Sequence, residues 1–328
     1  MAIPTDYSFT RYLAAKKSLD DRSLNRHVWE SLSRMLLNLK GRSPLRVLEV
    51  GCGIGTMLER LLEGELLQEA AYTGIDAQAE NIIAAQERLN RYGGGKDAPR
   101  GEAGHLVIQS PSRHVLVELE AMDLFHFLAR EQGRSAWDLV IAHAFLDLVD
   151  LPTTLPLLFS QMDKGGLFYF PQNFDGLTIL EPRMEPELDR QIEALYHRTM
   201  DERLVKGKAS GDSLTGRRLF RQIKTAGGEV LAAGSADWVV FPGRGGYPGD
   251  EAYFLHFIIE TIHQALRGHP LLEAKRFHDW VKQRHDQIEG RELIYIAHQL
   301  DFLGIVGGGK LAFSQSKDIP ETRQQDRV

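Results

Sequence analysis

A glycine-rich segment, Val47-Leu-Glu-Val-Gly-Cys-Gly-Ile-Gly-Thr56, is the part of the sequence whose residue types and spacing indicate chemistry most directly. Gly51, Gly53 and Gly55 alternate directly after an apolar run that is typical of a strand. Glycine lets the backbone turn tightly and approach a ligand closely, because it has no Cβ atom. The helix predicted to follow offers free N–H groups and the positive end of its dipole to an anionic group. The segment therefore predicts a loop that binds a small ligand.

Two classes of cofactor use a glycine-rich loop of this kind, and the flanking residues distinguish them. A dinucleotide fingerprint, G-x-G-x-x-G/A, requires glycine or alanine at position 56, where this chain has Thr56. The pattern for S-adenosylmethionine (SAM) places an acid two residues before three alternating glycines, as Glu49 does here. A carboxylate suits the ammonium group of the methionine part and would repel a pyrophosphate. The motif therefore favours SAM over NAD.

A second acid, Asp76, ends the next predicted strand in Thr73-Gly-Ile-Asp76. A carboxylate at this place can accept hydrogen bonds from the two hydroxyls of a ribose. NAD-binding proteins use the same device, so Asp76 by itself does not choose between the cofactors. A plain helix-capping role is the alternative.

The elements that must position these residues follow from the pattern of apolar residues. Strand signals lie at 45–50, 72–75, 114–119, 138–142 and 166–170, and helical signals lie at 24–39, 57–67, 82–92 and 155–162. Strands that alternate with helices predict parallel βαβ units and an α/β, doubly wound sheet. The many glycines and prolines of residues 93–112 predict a long loop.

The loop, the two acids and the alternation resemble the class I SAM-dependent methyltransferases over residues 45–170, and more loosely over 216–228. The small-molecule methyltransferases of the ubiquinone-biosynthesis type are the nearest resemblance. The resemblance implies a Rossmann-like, seven-stranded doubly wound sheet with an N-terminal helical cap and C-terminal helical additions. It also implies an enzyme that transfers a methyl group from SAM by in-line displacement.

With this resemblance, the chain is expected to have four parts. The predicted parts are an N-terminal helical cap (1–41), a SAM-binding domain (42–242) with an insert at about 172–212, C-terminal helices with a final strand (243–314), and a disordered tail (315–328).

The resemblance also assigns roles to single residues. Glu49 and the glycine loop would hold the methionine end, Asp76 the ribose, and Asp123 the adenine amino group. Ala142 and His143, after the fourth strand, would meet the methionine amino group. The complete predicted cofactor-binding set is Glu49, Gly51, Cys52, Gly53, Gly55, Asp76, Ala77, Asp123, Leu124, Ala142 and His143.

Several of these assignments have alternatives. His143 is the candidate catalytic residue, since histidine can act as a general base near neutral pH, but it can equally be a wall residue. Asp123 can be a helix N-cap. Strand four ends Ala142-His-Ala-Phe145, without the Asn/Asp-Pro-Pro-Tyr of enzymes that methylate amino groups of adenine or glutamine, which disfavours those acceptors.

Composition restricts the function further. The 328 residues carry a formal net charge of −6, which does not indicate the basic face typical of nucleic-acid binding. The single cysteine, Cys52, excludes an intramolecular disulfide. No apolar run approaches the roughly 18 residues of a membrane span. We therefore expect a cytoplasmic monomer or homodimer with a small-molecule acceptor and no nucleic acid, membrane or metal partner.

Three other functions stay open. One is a different transfer reaction on the same fold, for example aminopropyl transfer from decarboxylated SAM. Another is a SAM-binding module without catalysis. The third is NAD-dependent oxidoreduction, which Thr56 disfavours.

Overall fold

A nine-stranded sheet forms the centre of the part of the chain that the computed structural model describes, which is residues 3–39, 44–92, 105–133, 136–205 and 207–307. Its parallel portion has the spatial order β6-β5-β1-β2-β4. Those strands are β1 (Leu45–Val50), β2 (Glu69–Asp76), β4 (Arg113–Ala121), β5 (Trp137–Ile141) and β6 (Met162–Glu181). The order reverses between β1 and β5, and in open α/β sheets ligands bind at the carboxyl ends of the strands beside such a reversal.

Antiparallel strands extend the sheet at both edges. β3 pairs with β4, while β11 lies against β6 and carries both β9 and β10 on its other side. Their bounds are β3 (Leu106–Ser110), β9 (Gly228–Ser235), β10 (Trp238–Val240) and β11 (Ile294–Val306). A separate two-stranded hairpin joins β7 (Leu204–Val205) to β8 (Lys208–Ala209).

Helices connect and cover these strands. They are α1 (Phe9–Ala15), α2 (Lys17–Ser23), α3 (Arg26–Asn38), α4 (Thr56–Glu63), α5 (Ala79–Leu89), α6 (Leu124–Glu131), α7 (Leu151–Ser160), α8 (Pro186–Asp201), α9 (Thr215–Thr225), α10 (Glu251–Leu266) and α11 (Ala274–Glu289). A short 3-10 helix, Leu146–Leu148, follows β5. Side-chain caps fix several starts: Asn25 accepts from the backbone N–H of Val28 at α3, and Asp150 from that of Thr153 at α7.

The two faces of the sheet are covered by different helices. Val47 of β1 lies in an apolar cluster with α3 and α4, whereas the next residue, Leu48, lies in a cluster with α6 and α7. Successive strand side chains point to opposite faces, so an almost uninterrupted apolar strand is what a sheet covered on both sides requires. The predicted α/β, Rossmann-like doubly wound fold is confirmed.

A third apolar cluster lies beyond the parallel strands. It joins α8, α10 and α11 to the second half of β6, and it includes Ala15 of α1 and Leu19 of α2. The N-terminal helices therefore pack against the C-terminal helices as well as against the sheet.

Several expectations about elements need correction or concern residues outside the described ranges. The predicted loop over residues 93–112 is wrong at its end, where Leu106–Ser110 forms β3 as the hairpin partner of β4. This strand and β10 bring the sheet to nine strands rather than seven. β6 continues far past residue 170, because β11 pairs with it from Ile305↔Leu167 to Ile294↔Glu181. Residues 93–104 and the predicted tail lie outside the described residues, and the four-part division stays a prediction.

Candidate functional site

The glycine loop has the left-handed backbone conformation that its three glycines permit. Gly51, Gly53 and Gly55 have φ values of +66°, +53° and +78°, in the left-handed region that glycine tolerates. The N–H of Cys52 donates to the carbonyl of Ile75 at 2.9 Å, which fastens the loop to the end of β2. α4 starts directly after Gly55, so its free N–H groups lie at the reversal point of the sheet.

Two side chains lie over this loop. A Cβ atom added at Gly51 would come within 2.4 Å of the Phe145 ring, and one at Gly53 would come within 3.3 Å of Leu13 Cδ1. Phe145 follows β5 and Leu13 belongs to α1, so the C-terminal edge of the sheet and the N-terminal helices together bound the loop.

Asp76 is held by the loop and by the start of α5. Its Oδ2 accepts from the N–H of Gly53 at 3.0 Å, and its Oδ1 accepts from the N–H of Gln78 at 2.8 Å and from Asn81 Nδ2 at 3.1 Å. A carboxylate offers about four lone-pair sites. Three are therefore in use, and roughly one is free for a further donor such as a sugar hydroxyl.

Glu49 is an ionisable group in an apolar position. It is 1% exposed, and its carboxylate oxygen accepts a hydrogen bond from the Tyr72 hydroxyl. Burial raises the pKa of Glu49 to about 8, against the opposing effects of Tyr72 and of the Arg60 charge. The carboxyl is therefore mostly protonated at neutral pH, and a nearby cation would favour its ionised form.

The helix after β4 contributes the third predicted acid. Asp123 caps α6, because its Oδ1 accepts from the N–H groups of Phe125 at 3.0 Å and His126 at 3.3 Å. The N–H of Met122 donates to the carbonyl of Asp76 at 2.8 Å, which holds the ends of β2 and β4 together. The capping alternative is thus present in the structure, and Oδ2 of Asp123 is still able to accept from a ligand.

The remaining predicted residues lie around these acids. Ala77 is exposed beside Asp76, whereas Cys52, Leu124 and Ala142 are buried at 3%, 6% and 0%. Their placement is consistent with wall positions, and their roles toward a cofactor stay predictions.

His143 follows β5 in a buried polar cluster. Its Nε2 lies 2.7 Å from Gln172 Oε1 and 3.6 Å from Asp20 Oδ2. Burial, with the charge of Lys16, lowers the pKa of His143 to about 3. An imidazole that stays neutral is a weak proton acceptor, so the electrostatics favour the wall alternative, and the catalytic role of His143 stays a prediction.

The cluster around His143 contains a residue that the sequence reasoning missed. Asp20 of α2 is 0% exposed, lies 3.0 Å from Lys16 Nζ and 3.5 Å from a guanidinium nitrogen of Arg60, and accepts from Trp238 Nε1 at 3.1 Å. These positive charges outweigh burial and lower the pKa of its carboxyl. The i,i+4 spacing of Lys16 and Asp20 was the available sequence signal. The cluster joins α2 to α4, β5 and β10.

Metal binding and membrane spanning are two further possibilities for the described residues. No group of three or more histidine, cysteine, aspartate or glutamate side chains within them is arranged to hold a metal ion. No helix within the same ranges combines the length and apolarity needed to cross a bilayer.

Comparison with known proteins gives structural matches only. No family model and no curated protein matches the sequence. A putative sarcosine dimethylglycine methyltransferase from Galdieria sulphuraria is 12% identical, with 88% of this chain and 85% of that chain covered at a TM-score of 0.39. The cyclopropane synthase MmaA2 from Mycobacterium tuberculosis is 10% identical, with coverages of 91% and 87% at a TM-score of 0.39. Geranyl diphosphate methyltransferase in complex with SAM is 10% identical, with 84% of each chain covered at 0.38.

Values this low carry no conclusion about the reaction of this chain. Its own strand order, with an antiparallel last strand beside β6 and a glycine loop after β1, is that of a Rossmann-like doubly wound fold, and the resemblance to the class I SAM-dependent methyltransferases rests on the sequence motifs. The closer resemblance to the ubiquinone-biosynthesis type stays a prediction.

Proposed function

We propose that the protein is a SAM-dependent methyltransferase that acts on a small-molecule acceptor. The observation that carries the proposal is the connection between Gly53 and Asp76: the glycine loop uses its own N–H to orient the acid at the end of β2. A loop that only connected β1 to α4 would not need to orient a carboxylate at the reversal point of the sheet.

The residues at this point fit the parts of SAM by charge and hydrogen-bonding capacity. Glu49 suits the ammonium group, and the free N–H groups at the start of α4 suit the carboxylate. Asp76 keeps roughly one acceptor site for a ribose hydroxyl, and Asp123 Oδ2 suits the adenine amino group. When bound, SAM supplies an electrophilic methyl group: the acceptor's lone pair forms the new bond, and the electrons of the broken carbon–sulfur bond remain on sulfur.

The chain's own contribution is binding, alignment and the exclusion of water. In-line transfer needs the acceptor atom, methyl carbon and sulfur in one line, which a preformed pocket provides. The N-terminal helices support such a pocket. Leu13 lies against the glycine loop, and Lys16 belongs to the cluster around His143. A dedicated base is required only for acceptors that must lose a proton early.

The same geometry disfavours NAD. Thr56 stands where the dinucleotide fingerprint needs glycine or alanine, and it is 8% exposed with its hydroxyl 3.4 Å from Arg60. The buried Glu49 adds an acidic group where a pyrophosphate would need donors.

Calorimetric titration with SAM, S-adenosylhomocysteine and NADH tests the proposal. We expect both sulfur compounds to bind and NADH not to bind. Ligand at about a hundred times its dissociation constant should add about 2.7 kcal/mol to the stability and raise the melting temperature by several degrees. Asp76→Ala should weaken SAM binding at least about tenfold, whereas Asp279→Ala, at a partly exposed acid of α11 that pairs with Lys275, should not.

The outcomes separate the competing functions. Binding of NADH without SAM would overturn the proposal in favour of oxidoreduction. SAM binding with no turnover over a broad acceptor panel would indicate a binding module, and a product carrying an aminopropyl group would indicate the other transfer reaction.

A further inference from the structure

Three tyrosines from separate elements carry hydroxyl groups that form no hydrogen bond with any residue in the described ranges. They are Tyr12 of α1, Tyr196 of α8 and Tyr295 of β11. The Phe254 ring joins two of them, since its centroid lies 5.6 Å from that of Tyr12 and 5.9 Å from that of Tyr295, and Tyr196 packs against the same apolar cluster. Tyr295 is only 5% exposed. Tyr12 and Tyr196 are half-buried, so hydroxyls without a protein partner are available to a ligand in this region.

The region around these hydroxyls has aromatic walls. The Tyr12 ring stacks on Phe257 at 4.2 Å and on Phe254 at 5.6 Å between centroids. In the same apolar cluster the Phe174 ring meets His197 edge-on at 5.3 Å. A ligand between these walls would bury an apolar body against aromatic faces.

An acid whose carboxylate has an unpartnered oxygen lies close to the end of α8, the helix that carries Tyr196. A Cβ atom added at Gly211 would lie 2.9 Å from the carbonyl oxygen of Asp147 and 3.4 Å from that of Met200. Asp147 lies in the 3-10 helix after β5, and its buried Oδ1 has no hydrogen-bond partner in the described part of the chain. Its charge acts on Tyr12 and Tyr196. Burial raises the pKa of the Asp147 carboxyl, against its own backbone N–H and the charges of Arg203 and Lys16.

The segment after α8 holds Asp147 in place. The Ser210 hydroxyl donates to the carbonyl of Leu148 at 2.6 Å, and the N–H of Asp212 donates to the carbonyl of Asp147 at 3.4 Å. The 3-10 helix is therefore fixed to the hairpin segment, and its carboxylate lies next to the end of α8.

This region adjoins the proposed cofactor site. Asp147 lies four residues after His143, in the 3-10 helix that follows β5, and Asp20 acts electrostatically on Tyr12 while lying 3.6 Å from His143. The Lys16 charge is matched by Asp20 at 3.0 Å. Asp147, by contrast, forms no salt bridge within 4 Å among the described residues, and the charges of Arg203 and Lys16 act on it from farther away.

We propose that Tyr12, Tyr196, Tyr295 and Asp147 form the acceptor site, and that the acceptor is a small amine with an apolar body. This inference rests on the proposed function. An ammonium group supplies the donors that Asp147 and the phenol oxygens lack, and it is attracted to aromatic faces. An anionic acceptor would be repelled by Asp147, and a neutral one would leave the carboxylate uncompensated.

An amine that binds as its ammonium form must lose one proton before nitrogen can act as a nucleophile. Asp147 is the acceptor for that proton, because its buried Oδ1 has no hydrogen-bond partner among the described residues, and burial raises the pKa of its carboxyl. The proton then passes from the carboxyl group to water. Asp147 thereby both selects and activates the acceptor.

Three probes with the same ring and different head groups test the inference: phenethylamine, 2-phenylethanol and phenylacetate. Each is titrated calorimetrically into the full chain saturated with S-adenosylhomocysteine. We expect phenethylamine to bind at least about tenfold more tightly than 2-phenylethanol, and phenylacetate to bind most weakly. Equal binding of the three, tightest binding of phenylacetate, or no binding of phenethylamine would overturn the inference.

Substitutions then test which residues cause the preference for the amine. Asp147→Asn should reduce phenethylamine affinity on the order of 30-fold and leave 2-phenylethanol nearly unchanged. Asp150→Asn is the matched control, because Asp150 caps α7 and asparagine retains the cap. If Asp147→Asn does not fold, Tyr196→Phe removes a single hydroxyl and should reduce amine affinity severalfold. Unchanged amine affinity in the folded variants would contradict the site.

The two proposals fail in different ways. Absence of S-adenosylhomocysteine binding by the unmodified protein would overturn the proposed function. Binding of S-adenosylhomocysteine together with no preference for the amine would overturn the acceptor assignment alone.

Discussion

Replacing Glu49 with glutamine is expected to stabilise the protein near neutral pH while removing its affinity for SAM. Glu49 is 1% exposed, and burial raises the pKa of its carboxyl to about 8. Glutamine has nearly the same shape, and its amide oxygen can still accept the hydrogen bond from the Tyr72 hydroxyl. The substitution therefore removes the ionisable group without opening a cavity.

The magnitude follows from the difference in proton binding between the folded and unfolded chains. Between pH 4.5, the ordinary pKa of the group, and about 8, the folded protein holds a proton that the unfolded chain releases. Stability therefore falls as pH rises through this window, by about 1.4 kcal/mol per pH unit. The accumulated loss is about 3 kcal/mol at pH 7 and about 5 kcal/mol above pH 8. Below pH 4.5 both states are protonated, and Glu49 contributes no slope.

Urea unfolding of the two proteins between about pH 5 and about pH 8 measures this difference. The free energy of unfolding of Glu49→Gln, minus that of the unmodified protein, should grow by roughly 1 kcal/mol or more per pH unit. Parallel curves across the window would refute the assignment of a buried, protonated Glu49.

The same variant tests the role of Glu49 toward the cofactor. SAM binding to the unmodified protein at about pH 7 should release nearly one proton, because the ammonium group favours the ionised carboxylate. Calorimetry in buffers of different ionisation enthalpy detects that proton. If the variant gains stability but still binds SAM normally, Glu49 is buried and protonated as argued but does not bind the cofactor.

Three further predictions concern the loop, the histidine and the C-terminal helices. Gly53→Ala and Gly165→Ala should each cost about 1–2 kcal/mol in urea unfolding, because φ is +53° and +81°, but only Gly53→Ala should weaken SAM binding in calorimetry. Since the pKa of His143 lies at about 3, nitrogen-15 NMR should show a neutral imidazole at about pH 5, and a protonated one there would restore the general-base role. Arg284 and Asp189 form an ion pair 2.6 Å apart, with side-chain exposures of 0% and 1%. Asp189→Asn should therefore lower the free energy of unfolding in urea by about 3–5 kcal/mol. A loss below about 1 kcal/mol would contradict a strong buried pair.

The features that the sequence predicted correctly depend on neighbours in the chain. The positive φ values of Gly51, Gly53 and Gly55 follow from residue type and from the strand and helix on either side. β1 was predicted with its observed bounds, Leu45–Val50, because a short apolar run ending at glycines has few other structures. The capping alternative for Asp123 was likewise a local inference, and the structure contains that cap.

The features that were missed depend on partners far away in the chain. β3 is a strand because β4 pairs with it, and β6 reaches Glu181 because β11 accompanies it. The residues of β3, and those of β6 beyond residue 170, do not show a clear alternation of apolar and polar side chains by themselves. Strand formation there depends on cross-strand contacts, which the local sequence does not reveal.

The candidate site shows the same division. The sequence by itself determined the glycine loop and the two acids that flank it, Glu49 and Asp76, because a strand, a tight turn and a helix start are specified within a few residues. Only the tertiary structure brought Asp20 within 3.6 Å of His143, and Tyr12 and Tyr295 against the same Phe254 ring. Those groups come from elements that lie far apart in the chain, from α1 to β11, and burial among them sets their hydrogen bonding and their pKa values, which no local pattern encodes.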